Sequence, residues 1–126
     1  MIRVIIVDDH PVVRRGLKQI IEEELDMQVV NQAGNAHDAI FVISQTACDA
    51  VILDITLPGI SGLEVYDQIR AIPQFDNVPI VAVSAMDPSV AHMQIQTRGF
   101  AGFIPKPIDS NEFPQQIARI LAGETI

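Results

Sequence analysis

Five polar residues of this sequence lie at or just beyond the ends of short apolar runs, and their chemical types are complementary. They supply three carboxylates, one hydroxyl and one amine, from Asp8, Asp9, Asp54, Ser84 and Lys106. Sites with two or three carboxylates suit Mg²⁺, which keeps several waters and also binds phosphoryl oxygens. A carboxylate beside such an ion can attack phosphorus and form an aspartyl phosphate, while the amine offsets the charge of the transferred group. The set therefore predicts a site that accepts a phosphoryl group.

Each of these residues also has a simpler structural interpretation. Asp8 and Asp9 could merely cap the helix that follows them, and Asp54 could begin a turn. Ser84 could cap the next helix, and a single surface Lys106 is usually just solvated. The functional interpretation rests on the joint placement of all five residues, which separate structural roles would not require.

The predicted elements bring the five residues to one edge of a sheet. Apolar runs rich in β-branched residues predict buried strands at 2–7, 27–32, 51–53, 80–83 and 102–104. Segments with helical spacing or helix-start signals alternate with them, beginning near residues 11, 35, 61, 87 and 109. This alternation predicts one α/β domain with a parallel sheet, and ligand chemistry is then expected beyond the carboxyl ends of the strands.

Composition narrows the class of protein further. The chain has 126 residues and a net charge of −8, so it lacks the basic surface that direct nucleic-acid binding requires. No apolar run approaches the roughly 18 residues of a membrane span. The lone Cys48 cannot form an internal disulfide, which favours a reducing cytoplasm. The three histidines show no metal-ligand spacing and are interpreted as surface or capping residues: His10, His37 and His92.

Four motifs stand at the predicted strand ends. They are Val-Asp-Asp-His at 7–10, Leu-Asp with Leu-Pro-Gly and Ser-Gly-Leu within 53–63, Val-Ser-Ala at 83–85, and Pro-Lys-Pro at 105–107. In order and spacing they resemble the receiver domain of two-component response regulators, over essentially the whole chain. The resemblance implies a single receiver domain over residues 1–126. It also implies a doubly wound five-stranded parallel sheet of flavodoxin-like order 2-1-3-4-5, with five helices on both faces.

The same resemblance implies a role for each matching residue. Asp54 would accept a phosphoryl group from a histidine kinase or a histidine phosphotransfer protein. Mg²⁺ would be held by Asp9, Asp54 and the backbone carbonyl of Thr56, with Asp8 acting mainly through water. Lys106 would pair with the phosphoryl group. No turnover of a substrate is expected.

The resemblance further implies a conformational switch. Ser84 would swing toward the phosphoryl group, and Phe103 would turn inward to fill the vacated space. Those movements would change the face formed by the fourth helix, the last strand and the fifth helix, which controls an output and could form a phosphorylation-dependent homodimer. The peptide bond between Lys106 and Pro107 is expected to be cis.

The segment 8–17, Asp-Asp-His-Pro followed by Val-Val-Arg-Arg-Gly-Leu, resembles receivers that precede a helix-turn-helix DNA-binding domain. The chain is therefore either a stand-alone receiver or the receiver part of a transcription regulator, and the second is favoured. Contact with DNA or a membrane through these 126 residues is not expected.

Three alternative functions are less well supported by the sequence. A haloacid-dehalogenase-like phosphatase also uses an aspartyl nucleophile with Mg²⁺, but it needs a second acid two residues on, where Thr56 stands. A flavodoxin-like flavin binder needs a first loop that holds a phosphate, and Asp8 and Asp9 would repel one. A purely structural interaction module would not need the set of Asp54, Ser84 and Lys106.

Overall fold

The structure is a computed structural model, and it describes residues 1–55, 62–75, 77–84, 99–106 and 108–123. The strands are β1 (Ile2–Val7), β2 (Met27–Ala33), β3 (Ala50–Asp54), β4 (Ile80–Ser84) and β5 (Gly102–Pro105). The α-helices of these ranges are α1 (Pro11–Glu22), α2 (Ala36–Gln45), α3 (Gly62–Arg70) and α4 (Phe113–Leu121), and a 3-10 helix spans Pro73–Phe75. Helix α4 is the fifth predicted helix. The fourth, which was expected from Asp87, lies outside the described residues, as do Thr56 and Pro107.

The five strands form one parallel sheet in the order β2-β1-β3-β4-β5. This confirms the predicted strand order. In the sheet register, Val7 pairs with Leu53, Asp54 with Val83, and Ser84 with Pro105. The carboxyl ends of β1, β3, β4 and β5 therefore lie side by side. Because β5 is an edge strand, the missing N–H of Pro105 is tolerated.

Helices cover both faces of the sheet, which explains why its central strands are apolar on both sides. One face packs against α2 and α3 through residues such as Ala39, Ile43 and Ile69. The other packs against α1 and α4 through residues such as Leu17 and Phe113. Every residue of β3 and β4 is buried. Among the described helices, none has the length and apolar character needed to cross a membrane.

Helix ends follow the sequence predictions in part. Asn35 caps α2, in agreement with the helix start predicted near residue 35, because its side-chain oxygen accepts a 2.8 Å hydrogen bond from the Asp38 N–H. The prediction that Asp9 could cap α1 is wrong, since His10 occupies that position and makes no side-chain cap bond. Helix α1 ends at Glu22, because the chain must turn there to begin the strand beside β1.

Candidate functional site

Four strand ends deliver the polar residues singled out in the sequence. Asp8 directly follows β1, Asp54 ends β3, Ser84 ends β4 and Lys106 directly follows β5. Asp8, Asp54 and Ser84 are the buried polar residues in the described part of the chain, at 1%, 2% and 0% exposure. Burial of a carboxylate is costly unless it is paired, so this concentration of buried polar groups at one edge of the sheet marks a site with partners.

Lys106 connects the two buried carboxylates. Its Nζ lies 3.0 Å from Asp8 Oδ2 and 3.1 Å from Asp54 Oδ2, and 19% of its side chain is exposed. Burial by itself would lower the pKa of this ammonium, but the hydrogen bonds and the charges of the two carboxylates raise it above its usual value. The backbone N–H of Lys106 also donates to the Ser84 carbonyl at 2.9 Å, which holds the residue against the end of β4.

The carboxylates of Asp8, Asp9 and Asp54 form an acidic group, which has the composition of a divalent-cation site. Ligand atoms of Asp8, Asp9, His10 and Asp54 all lie within 4.8 Å of one another. The three carboxylates and the ammonium of Lys106 together leave a formal charge of −2 when the imidazole is neutral. A divalent ion would balance that charge, and carboxylate oxygens are the donors that Mg²⁺ prefers.

One oxygen of this group supports the same conclusion. Asp9 Oδ1 is buried and receives no hydrogen bond from any described residue. The Nδ1 atom of His10 lies 3.0 Å from it, close enough for an ion pair with a protonated ring, but without the geometry of a hydrogen bond. A buried carboxylate oxygen without a donor is costly, and a cation would satisfy it. The residues present therefore fit a divalent metal ion.

Two residues near the acidic group were missed by the sequence analysis. His10 is 63% exposed and occupies the N-cap position of α1, in agreement with its interpretation as a surface or capping residue, but the contact of its ring with Asp8 and Asp9 was not predicted. Arg14 donates from Nη1 to the backbone carbonyl oxygen of Asp8 at 2.6 Å. No local signal indicated this contact, because Asp8 precedes the helix and helical periodicity does not relate it to Arg14.

Ser84 and Phe103 occupy neighbouring strands next to the acidic group. Ser84 is fully buried, one residue beyond Val83, the sheet partner of Asp54. Phe103 lies in β5 opposite Ala82, is partly buried, and packs against the small cluster of Ile55 and Ala82. Ser84 is therefore brought close to the strand end that carries Asp54, and Phe103 lies in the body of the sheet.

The start of α3 closes tightly on the strand that carries Asp54. The N–H of Gly62 donates to the Ile55 carbonyl at 3.1 Å. A Cβ atom on Gly62 would overlap the Ile55 backbone and lie 2.5 Å from the Asp54 carbonyl oxygen. Only a residue without a side chain allows this approach.

Comparison with known proteins identifies a family for this arrangement. The family model described as the response regulator receiver domain matches residues 4–118. A nitrate/nitrite response regulator protein homolog from Haemophilus influenzae is 32% identical over 125 residues, which cover 99% of this chain and 59% of that protein. The chain thus spans less than two thirds of the length of this relative.

Solved structures give the same result. A two-component response regulator of the LuxR family from Aurantimonas sp. SI85-9A1 superposes with a TM-score of 0.90 at 32% identity, covering 100% of this chain and 89% of that one. The signal receiver domain of the response regulator NarL from Mycobacterium tuberculosis gives a TM-score of 0.86 at 26% identity, with 98% of each chain covered.

Proposed function

Because this chain belongs to the response regulator receiver domain family, we propose that it is switched by acceptance of a phosphoryl group on Asp54. The observation that carries the proposal is the position of Lys106 Nζ, which contacts the buried carboxylates of Asp8 and Asp54 at 3.0 and 3.1 Å. A buried nucleophile at a strand end, beside a fixed cation and a metal-ion donor set, fits phosphoryl acceptance better than it fits a structural role.

The phosphoryl donor is a phosphohistidine of a histidine kinase or a histidine phosphotransfer protein. A carboxylate oxygen of Asp54 attacks the phosphorus, the P–N bond breaks, and its electron pair stays on the imidazole nitrogen of the donor. The product on this chain is an aspartyl phosphate. Lys106, held 3.1 Å from Asp54 Oδ2, donates to an oxygen of the incoming group and offsets its charge.

Mg²⁺ is the cofactor of the proposed step. Asp9, Asp54 and the backbone carbonyl of Thr56 would hold it, with Asp8 acting mainly through water. The chemistry that the ion supplies when bound is the offset of negative charge on the phosphoryl oxygens. The buried Asp9 Oδ1, which no described residue satisfies, supports this assignment.

The proposed change of output depends on two side chains, one in β4 and one in β5. Ser84 moves toward the phosphoryl group and Phe103 turns inward, which changes the face formed by the fourth predicted helix, β5 and α4. That face regulates an output in the cytoplasm, through a phosphorylation-dependent homodimer or through a helix-turn-helix domain of a transcription regulator. The proposed receiver domain comprises residues 1–126, with a cis peptide bond before Pro107.

The alternative of a haloacid-dehalogenase-like phosphatase receives no support from the comparisons. The relatives that match the chain are response regulators rather than enzymes that turn over a substrate. The chemistry assigned to this chain is acceptance of one phosphoryl group on its own side chain.

Intact-mass measurement after incubation with acetyl phosphate and Mg²⁺ tests the proposal. We expect the parent chain to gain one phosphoryl group and Asp54→Asn to gain none. Asp49→Asn is the matched control, because Asp49 lies just before the opposite end of β3 with 41% of its side chain exposed. It should be modified as the parent is. Absence of modification in the parent, or modification that persists in Asp54→Asn, would overturn the assignment of Asp54.

A further inference from the structure

The imidazole of His10 contacts the acidic group through a single nitrogen atom. Nδ1 lies 3.0 Å from Asp9 Oδ1 and within hydrogen-bond distance of Asp8 Oδ1, at 3.2 Å, while 63% of the side chain is exposed. The ring therefore contacts both carboxylates while most of its surface remains exposed. Neither the phosphoryl step nor the magnesium ligands proposed above give this ring a role.

The backbone directs the ring toward the carboxylates. His10 precedes Pro11, and a residue before proline is confined to extended conformations, as its φ of −98° and ψ of 108° show. In this conformation the His10 N–H donates to Asp8 Oδ1 at 2.9 Å. The same carboxylate oxygen thus faces both the backbone nitrogen and the ring of His10, and the short stretch Asp-Asp-His-Pro places the three side chains together.

The distances between these atoms match those between adjacent ligands of one metal ion. Nitrogen and oxygen ligands lie about 2.1 Å from a first-row divalent ion, so two neighbouring ligands of an octahedral ion are about 3.0 Å apart. The contacts of Nδ1 with Asp9 and Asp8 have this length. The carboxylate of Asp54 completes a group whose ligand atoms span no more than 4.8 Å.

We propose that His10 is a ligand for late first-row divalent ions such as Co²⁺, Ni²⁺ and Zn²⁺ at the acidic site, which binds these ions more tightly than Mg²⁺. Imidazole nitrogen is a good ligand for these ions, whereas Mg²⁺ selects oxygen. The inference rests on the metal site of the proposed function and adds a nitrogen donor to it. A transition ion at this position uses the carboxylates that Mg²⁺ needs, so the two kinds of ion compete.

A protonated His10 that only neutralises the carboxylates would show the same distances, and the two roles make opposite predictions. As a counter-ion, the imidazolium must give way to any metal, so its removal would strengthen the binding of Co²⁺ and Mg²⁺ alike. As a ligand, the imidazole strengthens Co²⁺ binding alone. Substitution of His10 removes no helix cap, because its side chain makes no cap hydrogen bond.

Calorimetric titration of the parent and His10→Ala, with Co²⁺ alone and with Mg²⁺ alone, distinguishes these roles. We expect His10→Ala to weaken Co²⁺ binding by about tenfold or more while Mg²⁺ binding changes less than twofold. The visible absorption spectrum of bound Co²⁺ should also change in this variant, because an oxygen replaces the nitrogen ligand. Equal effects on both ions, or an unchanged Co²⁺ spectrum, would overturn the proposal.

His37→Ala is the matched control. His37 lies 3.5 Å from the carboxylate of its neighbour Asp38, but it is 94% exposed and is no member of the acidic group, so its loss should leave both titrations unchanged. Asp9→Asn separates this inference from the function it rests on. If Mg²⁺ binding survives Asp9→Asn undiminished, the metal site itself is misplaced. If Asp9→Asn weakens both ions and His10→Ala acts on neither selectively, only the role of His10 fails.

Discussion

The guanidinium of Arg14 donates a hydrogen bond of 2.6 Å to the backbone carbonyl oxygen of Asp8. Arg14 belongs to α1, so this bond links the helix to the end of β1, which Asp8 and Asp9 follow. The guanidinium also passes close to Gly34, where a Cβ atom would lie 2.8 Å from Nη1. One side chain therefore links α1 to the end of β1 and leaves no room for a side chain in the turn that follows β2.

Replacing Arg14 should loosen this arrangement. We expect Arg14→Met to lower the free energy of unfolding by about 2 kcal/mol, because the Asp8 carbonyl loses a charged donor in a partly buried position. Urea denaturation followed by circular dichroism measures the change. Arg15→Met is the control, since its exposed side chain should contribute less than about 0.5 kcal/mol. Equal losses in the two variants would contradict a special role for Arg14.

Glycine substitutions in two helices should have opposite effects. Gly62→Ala places a methyl group against the backbone of Ile55 and Asp54. We expect it to lower the free energy of unfolding by about 1–3 kcal/mol and to slow modification by acetyl phosphate.

Gly16→Ala, in the middle of α1 with open space around its Cβ, should raise the free energy of unfolding by about 0.5–1 kcal/mol. Thermal or urea unfolding measures both. Destabilisation by Gly16→Ala or tolerance of Gly62→Ala would contradict the structure.

The ammonium of Lys106 should be the principal counter-charge of the acidic group. We expect Lys106→Met to cost about 3 kcal/mol of unfolding free energy at neutral pH, because Asp8 and Asp54 stay buried without their cation. Added Mg²⁺ should then stabilise this variant more than the parent, since the carboxylates hold more uncompensated charge. Urea denaturation with and without Mg²⁺ tests this, and Lys18→Met, on the exposed part of α1, is the control. Equal effects of Mg²⁺ on parent and Lys106→Met would argue against the pairing.

The thiol of Cys48 should react slowly. Burial, with help from the neighbouring Asp49 carboxylate, raises its pKa from 9.0 to about 11. The fraction of thiolate at pH 8 is then about a hundredfold smaller than for an ordinary cysteine, and labelling by a disulfide reagent should slow by a similar factor. Because the pKa in the folded chain lies above that in the unfolded chain, the stability that the neutral thiol contributes is present below pH 9.0 and is lost as the pH rises toward 11.

The unfolded chain provides the internal control for this measurement. Cys48 is the sole cysteine of the sequence, so labelling in urea reports the unhindered rate of the same residue. Comparable rates with and without urea at pH 8 would show that the thiol is not shielded.

The strands and the buried acids could be predicted because their signals are local. A run such as 51–53 is apolar on every residue, and this pattern requires burial on both faces of a sheet. Once the strands are placed, parallel geometry brings Asp8, Asp54 and Lys106 to one edge without further information. The cap at Asn35 was equally readable, because it depends only on Asp38 three residues away.

The roles of His10 and Arg14 could not be predicted in this way. Both depend on the angle at which α1 leaves β1, which is determined by packing of Leu17 and Ile21 against the sheet and not by neighbouring residues. A histidine next to two acids reads equally well as a solvated side chain. Similarly, the prediction that Asp9 caps α1 failed because the helix begins at Pro11, which leaves His10 and not Asp9 at the capping position.

The contact between Lys106 and Asp8 joins residues 98 positions apart, and that between Lys106 and Asp54 joins residues 52 apart. Contacts of such large sequence separation form late, because the intervening chain must first be ordered. During synthesis on the ribosome, the aspartates emerge before the lysine that pairs with them. Under the proposed function, competence for phosphorylation would therefore require the last strand to dock, and a chain truncated before Lys106 would carry Asp54 without its counter-charge.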